Sequence, residues 1–231
     1  MSIESNFNPR LDVLPPSQRR LWDELGALPA EFVLYGGTAL ALHFGHRQSV
    51  DFDFFGDRAF EPRELVATVP FLASATITQQ APNTISVIVD RDGPVRLSFF
   101  GVPALPRLQP PLIAPDNFVR VASLLDIAAT KASVVQQRAE AKDYIDIDAI
   151  LRDGRVDLPT ALAAAKAIYG AQFNPLITLK ALSFFDDGDL RSLPQTTMDR
   201  LAKAVRDVDL ENIPRLTAGH ARAPADPETD R

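Results

Sequence analysis

The chain has 231 residues, 46% of them hydrophobic and 23% charged, no cysteine, and a formal net charge of -6 from 24 Lys+Arg against 30 Asp+Glu. At about 150 residues per domain this is roughly one and a half domains, large enough to fold without staples. The missing cysteines exclude disulfides, thiolate zinc sites and cysteine nucleophiles, and suit a reducing compartment. The acidic balance excludes a broad basic surface coating nucleic acid, but not a confined basic cleft. The first twenty residues have no apolar core behind a positive start, and no run of about 18 apolar residues follows, so a soluble cytoplasmic protein with no membrane partner is expected.

In chain order, Leu21, Trp22, Leu25 and Leu28 predict a helix over residues 17–28, ended by Pro29. Residues 32–35 predict a short buried strand. Gly36-Gly37 makes a turn, and Thr38 is the expected N-cap of a helix that Gly45 closes. Residues 49–55 alternate through Val50, Phe52 and Phe54, which predicts a strand with those three on an apolar face and Asp51 and Asp53 on the other. A helix over 61–69 and strands over 76–79, 84–90 and 95–100 follow, the last two joined by a hairpin at Arg91-Asp92-Gly93. Five prolines in residues 102–115 mark a domain junction. Beyond it alanine-rich helical periodicity takes over: one or two helices over 116–151, then 158–169, 174–185 and 196–208. Residues 217–231 are mostly polar and predict a disordered tail. The expected division is a core over 1–112, a helical domain over 113–215 that closes a cleft, and a tail over 216–231.

Three features carry chemistry. Gly36-Gly37-Thr38 stands between a strand and a helix, where backbone N–H groups, the helix dipole and the Thr38 hydroxyl can meet a phosphate; a plain tight turn has the same pattern. Asp51 and Asp53 lie two apart on one strand and so share a face. Two carboxylates that close repel unless neutralised, and magnesium does this while keeping phosphate oxygens in its shell. An exposed edge strand is the plainer explanation. A calcium loop is excluded because Phe55 and Pro62 occupy its fifth and twelfth positions, and an aspartyl phosphotransferase leaves Gly-Gly-Thr without a role. Third, Lys131, Arg138 and Lys142 share one face of an unbroken helix, with Asp143, Asp146 and Asp148 following. They form either a solvated face or an arm toward a triphosphate.

Together, the run from Gly36 to Leu40 with His46 to Phe55 resembles the signature of DNA polymerase β-like nucleotidyltransferases, Gly-Ser/Thr followed after about a dozen residues by Asp-x-Asp. The later run, Asp126 to Lys131, Arg138 and Lys142 to Asp146, resembles the second half of the AbiEii/AbiGii abortive-infection toxin branch. The resemblance covers residues 32–151 and implies an α+β fold, a mixed sheet with flanking helices followed by an α-helical domain. It implies transfer of a nucleotide from an NTP to an acceptor with release of pyrophosphate. Relatives modify tRNA ends and are paired with an antitoxin. Carried over, it assigns Gly36, Gly37 and Thr38 to the phosphates, with Arg47 and Arg138 as further nucleotide contacts. Asp51 and Asp53 take two Mg2+ ions. Lys131 neutralises the leaving phosphate, and Asp143 or Asp146 acts as a metal-site or acceptor-side residue. A small-molecule acceptor of the antibiotic type and a catalytically silent nucleotide- or partner-binding member are the alternatives. Where related enzymes have a third core carboxylate, the strand over 95–100 offers Ser98 or Arg96, with Asp90 as a distant substitute, so the general base is water or an aspartate of the second domain.

Overall fold

The structure, a computed structural model, describes residues 7–103 and 105–220. The chain runs α1 (Pro16–Trp22), β1 (Val33–Tyr35), α2 (Gly36–Phe44), β2 (Asp51–Gly56), α3 (Pro62–Thr68), β3 (Thr76–Ala81), β4 (Thr84–Asp90) and β5 (Pro94–Gly101). Short strands β6 (Pro106–Arg107), β7 (Leu112–Ile113) and β8 (Arg120–Val121) lead to α4 (Leu124–Val134) and α5 (Ala141–Asp153). Helices α6 (Leu158–Tyr169), α7 (Pro175–Ala181) and α8 (Gln195–Arg206) and strand β9 (Gly219–His220) complete the chain. Seven strands form one mixed sheet in the order β3-β4-β5-β2-β1-β8-β7, and β6 pairs with β9. The fold is α+β, as expected. No helix among the described residues is long and apolar enough to cross a membrane.

Strand β2 lies in the middle of the sheet, parallel to β5 and antiparallel to β1. Its alternation is strict: Phe52 and Phe54 are fully buried, while Asp51, Asp53 and Phe55 are half-buried on the other face. Val50 departs from the expected pattern. It precedes the strand and is 59% exposed, because the pleat begins only at Asp51. On β5 the same alternation buries Val95, Leu97 and Phe99, and Phe99 stacks on Phe54 at 5.3 Å between ring centroids. Trp22, fully buried at the end of α1, pins the segment leading to β8. Its indole donates to Asp116 Oδ2 at 2.7 Å, and its carbonyl accepts from Asn117 Nδ2 at 2.6 Å.

Several boundaries differ from the sequence expectation. The first helix stops at Trp22 and continues as a 3-10 turn to Ala27, and the helix from Pro175 ends at Ala181. The division at residue 112 falls inside β7, and residues 116–121 are not helical: Arg120 and Val121 run parallel to β1. The change from sheet to helices therefore comes between Val121 and Leu124, where Ser123 caps α4 by accepting from the Asp126 N–H. The helical stretch is broken at residues 135–140, so Arg138 lies between α4 and α5, and Lys131, Arg138 and Lys142 do not share one helix face. Of the tail expected to be disordered, Gly219–His220 pair with β6; residues 221–231 lie outside the described residues.

The helices share a second buried cluster, centred on Tyr144, Leu162, Leu182 and Leu201. Asp148 belongs to that packing and not to a cleft wall. It is 4% exposed, accepts from Arg200 Nε and Nη2 at 2.6 Å each, and is met by the Thr197 hydroxyl. This pair ties α5 to α8. Asp148→Ala is expected to lower stability by about 1–2 kcal/mol, the Arg200 half of the pair being solvated, as measured by urea denaturation.

Candidate active site

The two carboxylates of β2 meet the start of α2. Gly36 has φ +74, which a side chain disfavours, and a Cβ there would come within 2.8 Å of Asp53 Oδ2. At Gly37 a Cβ would come within 2.6 Å of Arg47 Nη2 and 2.9 Å of Ser49 Oγ. Both glycines are thus required by close approach, and together they press the N-terminus of α2 against Asp53 and Arg47. The helix begins at Gly36, two residues before the expected Thr38 cap, and no side chain caps it. Its first-turn N–H groups remain available to an anion. The Thr38 hydroxyl is not: Thr38 is buried inside the first turn and donates to the Asp51 carbonyl. Only its backbone can serve a phosphate, and its side chain locks α2 to β2.

Asp51 and Asp53 form a local excess of negative charge. Asp51 Oδ1 is buried without a partner among the described residues. Burial, and then the neighbouring Asp51 charge, push the Asp53 carboxyl above its ordinary range, while Lys131, Arg138 and Lys142 pull it back. An orphaned carboxylate oxygen beside a second strained carboxylate is what a divalent cation relieves, so the pair fits a metal of the magnesium type. No cluster of three or more His, Asp or Glu among the described residues is placed to hold a metal. The protein therefore supplies two carboxylates, and the remaining ligands would be water and phosphate oxygens.

As the sequence implies, β5 sets no carboxylate beside Asp51 and Asp53. The β2–β5 register sets Asp51 beside Arg96 and Asp53 beside Ser98. Asp90 is engaged at the hairpin, where its Oδ1 accepts from the Gly93 N–H at 2.9 Å.

Facing the pair is a buried charge network. Lys131 Nζ donates to Asp143 Oδ1 at 2.8 Å and stands in an ion pair 2.5 Å from Asp146 Oδ2. Arg47 clamps Asp146 with two bonds, Nε to Oδ1 at 2.7 Å and Nη2 to Oδ2 at 2.8 Å. Arg138 Nε donates to Asp143 Oδ2 at 2.8 Å. His46 Nε2 stands 2.7 Å from Asp146 Oδ1; the ionised carboxylate only accepts, so this nitrogen carries a proton. Burial alone would raise the Asp146 carboxyl. The hydrogen bonds of His46 and Arg47 and the Lys131 charge outweigh it and hold the group well below the usual carboxylate range. Asp143 is likewise lowered, its burial overcome by Lys131 and Arg138.

Asp143 and Asp146, expected as metal-site or acceptor-side residues, lie inside this network. Both side chains are fully buried, and all four of their oxygens accept from cations. Carboxylates held so acidic are poor bases. Three cations against two carboxylates leave the wall with one net positive charge opposite Asp51 and Asp53. Lys131 donates one hydrogen bond, to Asp143, and pairs with Asp146 by charge. His46 was not singled out from sequence. Its adjacency to Arg47 was the available signal, but its partner is 100 positions away.

Asp146→Asn leaves Arg47 and Lys131 buried against a neutral amide. We expect a loss of about 3 kcal/mol near neutral pH. Because the folded-state acidity is increased, the stability that Asp146 provides is present above the unfolded pKa of about 4 and is lost as pH falls below it. Urea denaturation from pH 7 to pH 3 should therefore show wild type and variant converging toward acid.

With this geometry in place, the relationships to known proteins are informative. A family model described as nucleotidyl transferase AbiEii toxin, type IV TA system, matches residues 20–219. An uncharacterized protein of Aquifex aeolicus is 31% identical over 159 residues, covering 68% of this chain and 75% of its own. Among solved structures, MenT4, a nucleotidyltransferase toxin of Mycobacterium tuberculosis H37Rv, has a TM-score of 0.52 at 16% identity, covering 82% of this chain and 83% of its own. An H. pylori protein described as a candidate nucleotidyltransferase has a TM-score of 0.50 at 18% identity, covering 82% and 90%. At these identities the structures establish a shared fold, and the family match establishes the rest: the chain belongs to the AbiEii nucleotidyl transferase toxin family and is a nucleotidyltransferase, which implies an NTP substrate, a divalent metal and a cognate antitoxin.

Proposed function

We propose that the enzyme moves a nucleoside monophosphate from an NTP onto the end of an RNA, with tRNA as the acceptor, in the cytoplasm and with magnesium at Asp51 and Asp53. The observation that carries this reading is the contact between Gly36 and Asp53, which places an uncapped helix N-terminus against the carboxylate pair. One element offers N–H donors to a triphosphate, and the other offers hard oxygen ligands to its counterions. Bound there, one or two Mg2+ ions would supply Lewis-acid charge to the phosphates and acidify the attacking hydroxyl.

The chain's own residues then divide the work. The N–H groups at the start of α2 take oxygens of the β- and γ-phosphates. Lys131, held by Asp143 and Asp146, presents an N–H to the phosphate where negative charge grows. Arg47 and Arg138 keep the pocket positive while spending their strongest bonds on the two aspartates. The acceptor hydroxyl oxygen bonds to the α-phosphorus, the bond from that phosphorus to the bridging oxygen of the β-phosphate breaks, and pyrophosphate departs. The hydroxyl proton goes to water, since Asp143 and Asp146 are saturated with cations. The -6 charge limits the RNA contact to a small area at the RNA end.

The test is incubation with magnesium, each labelled NTP in turn and total tRNA. Label in RNA is expected with at least one NTP, falling by about a hundredfold or more in Asp51→Asn, in line with losing a main electrostatic contributor. A protein that binds NTP yet transfers none of the four to RNA contradicts the reading.

A further inference from the structure

We propose that Arg96 of β5 holds a backbone phosphate of the acceptor, which makes the acceptor side of the cleft specific for a phosphodiester chain. This rests on the RNA reading above and extends it to a residue with no assigned role.

The placement follows from register. Residues paired across neighbouring strands share a face, and Arg96 is paired with Asp51 and Ser98 with Asp53. Val95, Leu97 and Phe99 are fully buried on the opposite face, so Arg96 and Ser98 stand on the open face with the two carboxylates. That face continues across β4 and β3. Ser86 Oγ lies 3.1 Å from Ser98 Oγ, Thr78 donates to the Ser86 carbonyl, and every residue of β3 is exposed. The floor beside Asp51 and Asp53 thus carries the Ser98 and Ser86 hydroxyls, with Arg96 as its guanidinium and Ile88, Phe55 and Phe100 as its apolar part.

Direction decides which phosphate Arg96 can meet. In the sheet order, β1 and the α2 N-terminus lie on one side of β2, and β5 lies on the other. The triphosphate belongs to the α2 side, where Arg47 and Lys131 also stand. A phosphate on the β5 side is therefore the acceptor's. Arg47, Lys131 and Arg138 are engaged by aspartates, whereas Arg96 is exposed and forms no ion pair with any described carboxylate. With Asp51 assigned to metal in that reading, Arg96 is free to meet an anion of the substrate. The same charge disfavours cationic small molecules such as amino sugars. An acidic group on this strand would admit them; a guanidinium repels them and grips phosphate with two parallel bonds.

The test varies tRNA at saturating NTP and magnesium, and separately measures NTP affinity by calorimetry. Arg96→Glu should raise KM for tRNA by roughly tenfold or more, and Arg96→Ala by less, as for loss of a charged hydrogen bond. Arg96→Lys should recover most of the loss. In Arg96→Ala the slope of log KM against log salt should shrink by about one. NTP affinity and melting temperature should match wild type in Arg96→Ala and Arg96→Lys. Arg96→Ala with an unchanged KM overturns the proposal, and so does weakened NTP binding in Arg96→Ala, which would put Arg96 on the triphosphate side. Wild-type protein that binds NTP and labels no RNA overturns the acceptor reading itself, before any variant is compared.

Discussion

One carboxylate holds the two halves of this protein in working order. Asp146 is fully buried on α5, receives hydrogen bonds from His46 and Arg47, which belong to the loop between α2 and β2, and forms an ion pair with Lys131 on α4. A buried carboxylate in that position has no solvent to fall back on, so its oxygens must be met by cations, and those cations come from both sides of the cleft. Arg47 in turn lies against Gly37, and Gly36 lies against Asp53. The position of the α2 N-terminus, the aim of Lys131 and the separation between the helical half and the sheet all follow from satisfying one anion. Asp143 extends the arrangement by fixing Lys131 and Arg138 together. Charge pairing here is worth more as geometry than as stability, because desolvation cancels much of its Coulombic gain.

Strand β2 was legible because its signal is local and periodic. Two buried phenylalanines alternating with two aspartates admit only one face assignment, and the structure has it. Gly36-Gly37 was legible as a turn into a helix, but Thr38 as a cap was not, since a hydroxyl that could cap the helix instead bonds the Asp51 carbonyl across the turn. Residues 116–121 were misassigned for a related reason. A two-residue strand such as Arg120–Val121 has no periodicity to detect, and its place beside β1 is set by tertiary pairing alone. The roles of Asp143, Asp146 and Asp148 were the least legible. All three lie within six positions on one helix, yet two turn toward the cleft and one toward α8, because a helix rotates about 100° per residue.

The net charge of -6 misleads for the same reason that composition always can. Asp51 and Asp53 are the proposed cation site, and Asp143, Asp146 and Asp148 are each matched by arginine or lysine. What faces the cleft from the helical half is positive, although α5 is rich in acids. The field at a site is set by which charges are already paired, not by how many of each sign the chain contains.

The missing third carboxylate then has a chemical meaning. A site with a base on β5 could accept a proton from an attacking hydroxyl, whereas Ser98 and Arg96 cannot at neutral pH. The aspartates that might have replaced it are locked by Lys131, Arg47 and Arg138, and freeing either would leave buried cations unpaired. In the proposed reaction proton removal is left to solvent, and the hydroxyl must be made acidic enough for water to take its proton. Such a site gains less from a precisely placed base than from holding the acceptor and the triphosphate in line. On the proposal for Arg96, a guanidinium on this strand in place of a carboxylate trades proton transfer for grip on a polyanionic acceptor.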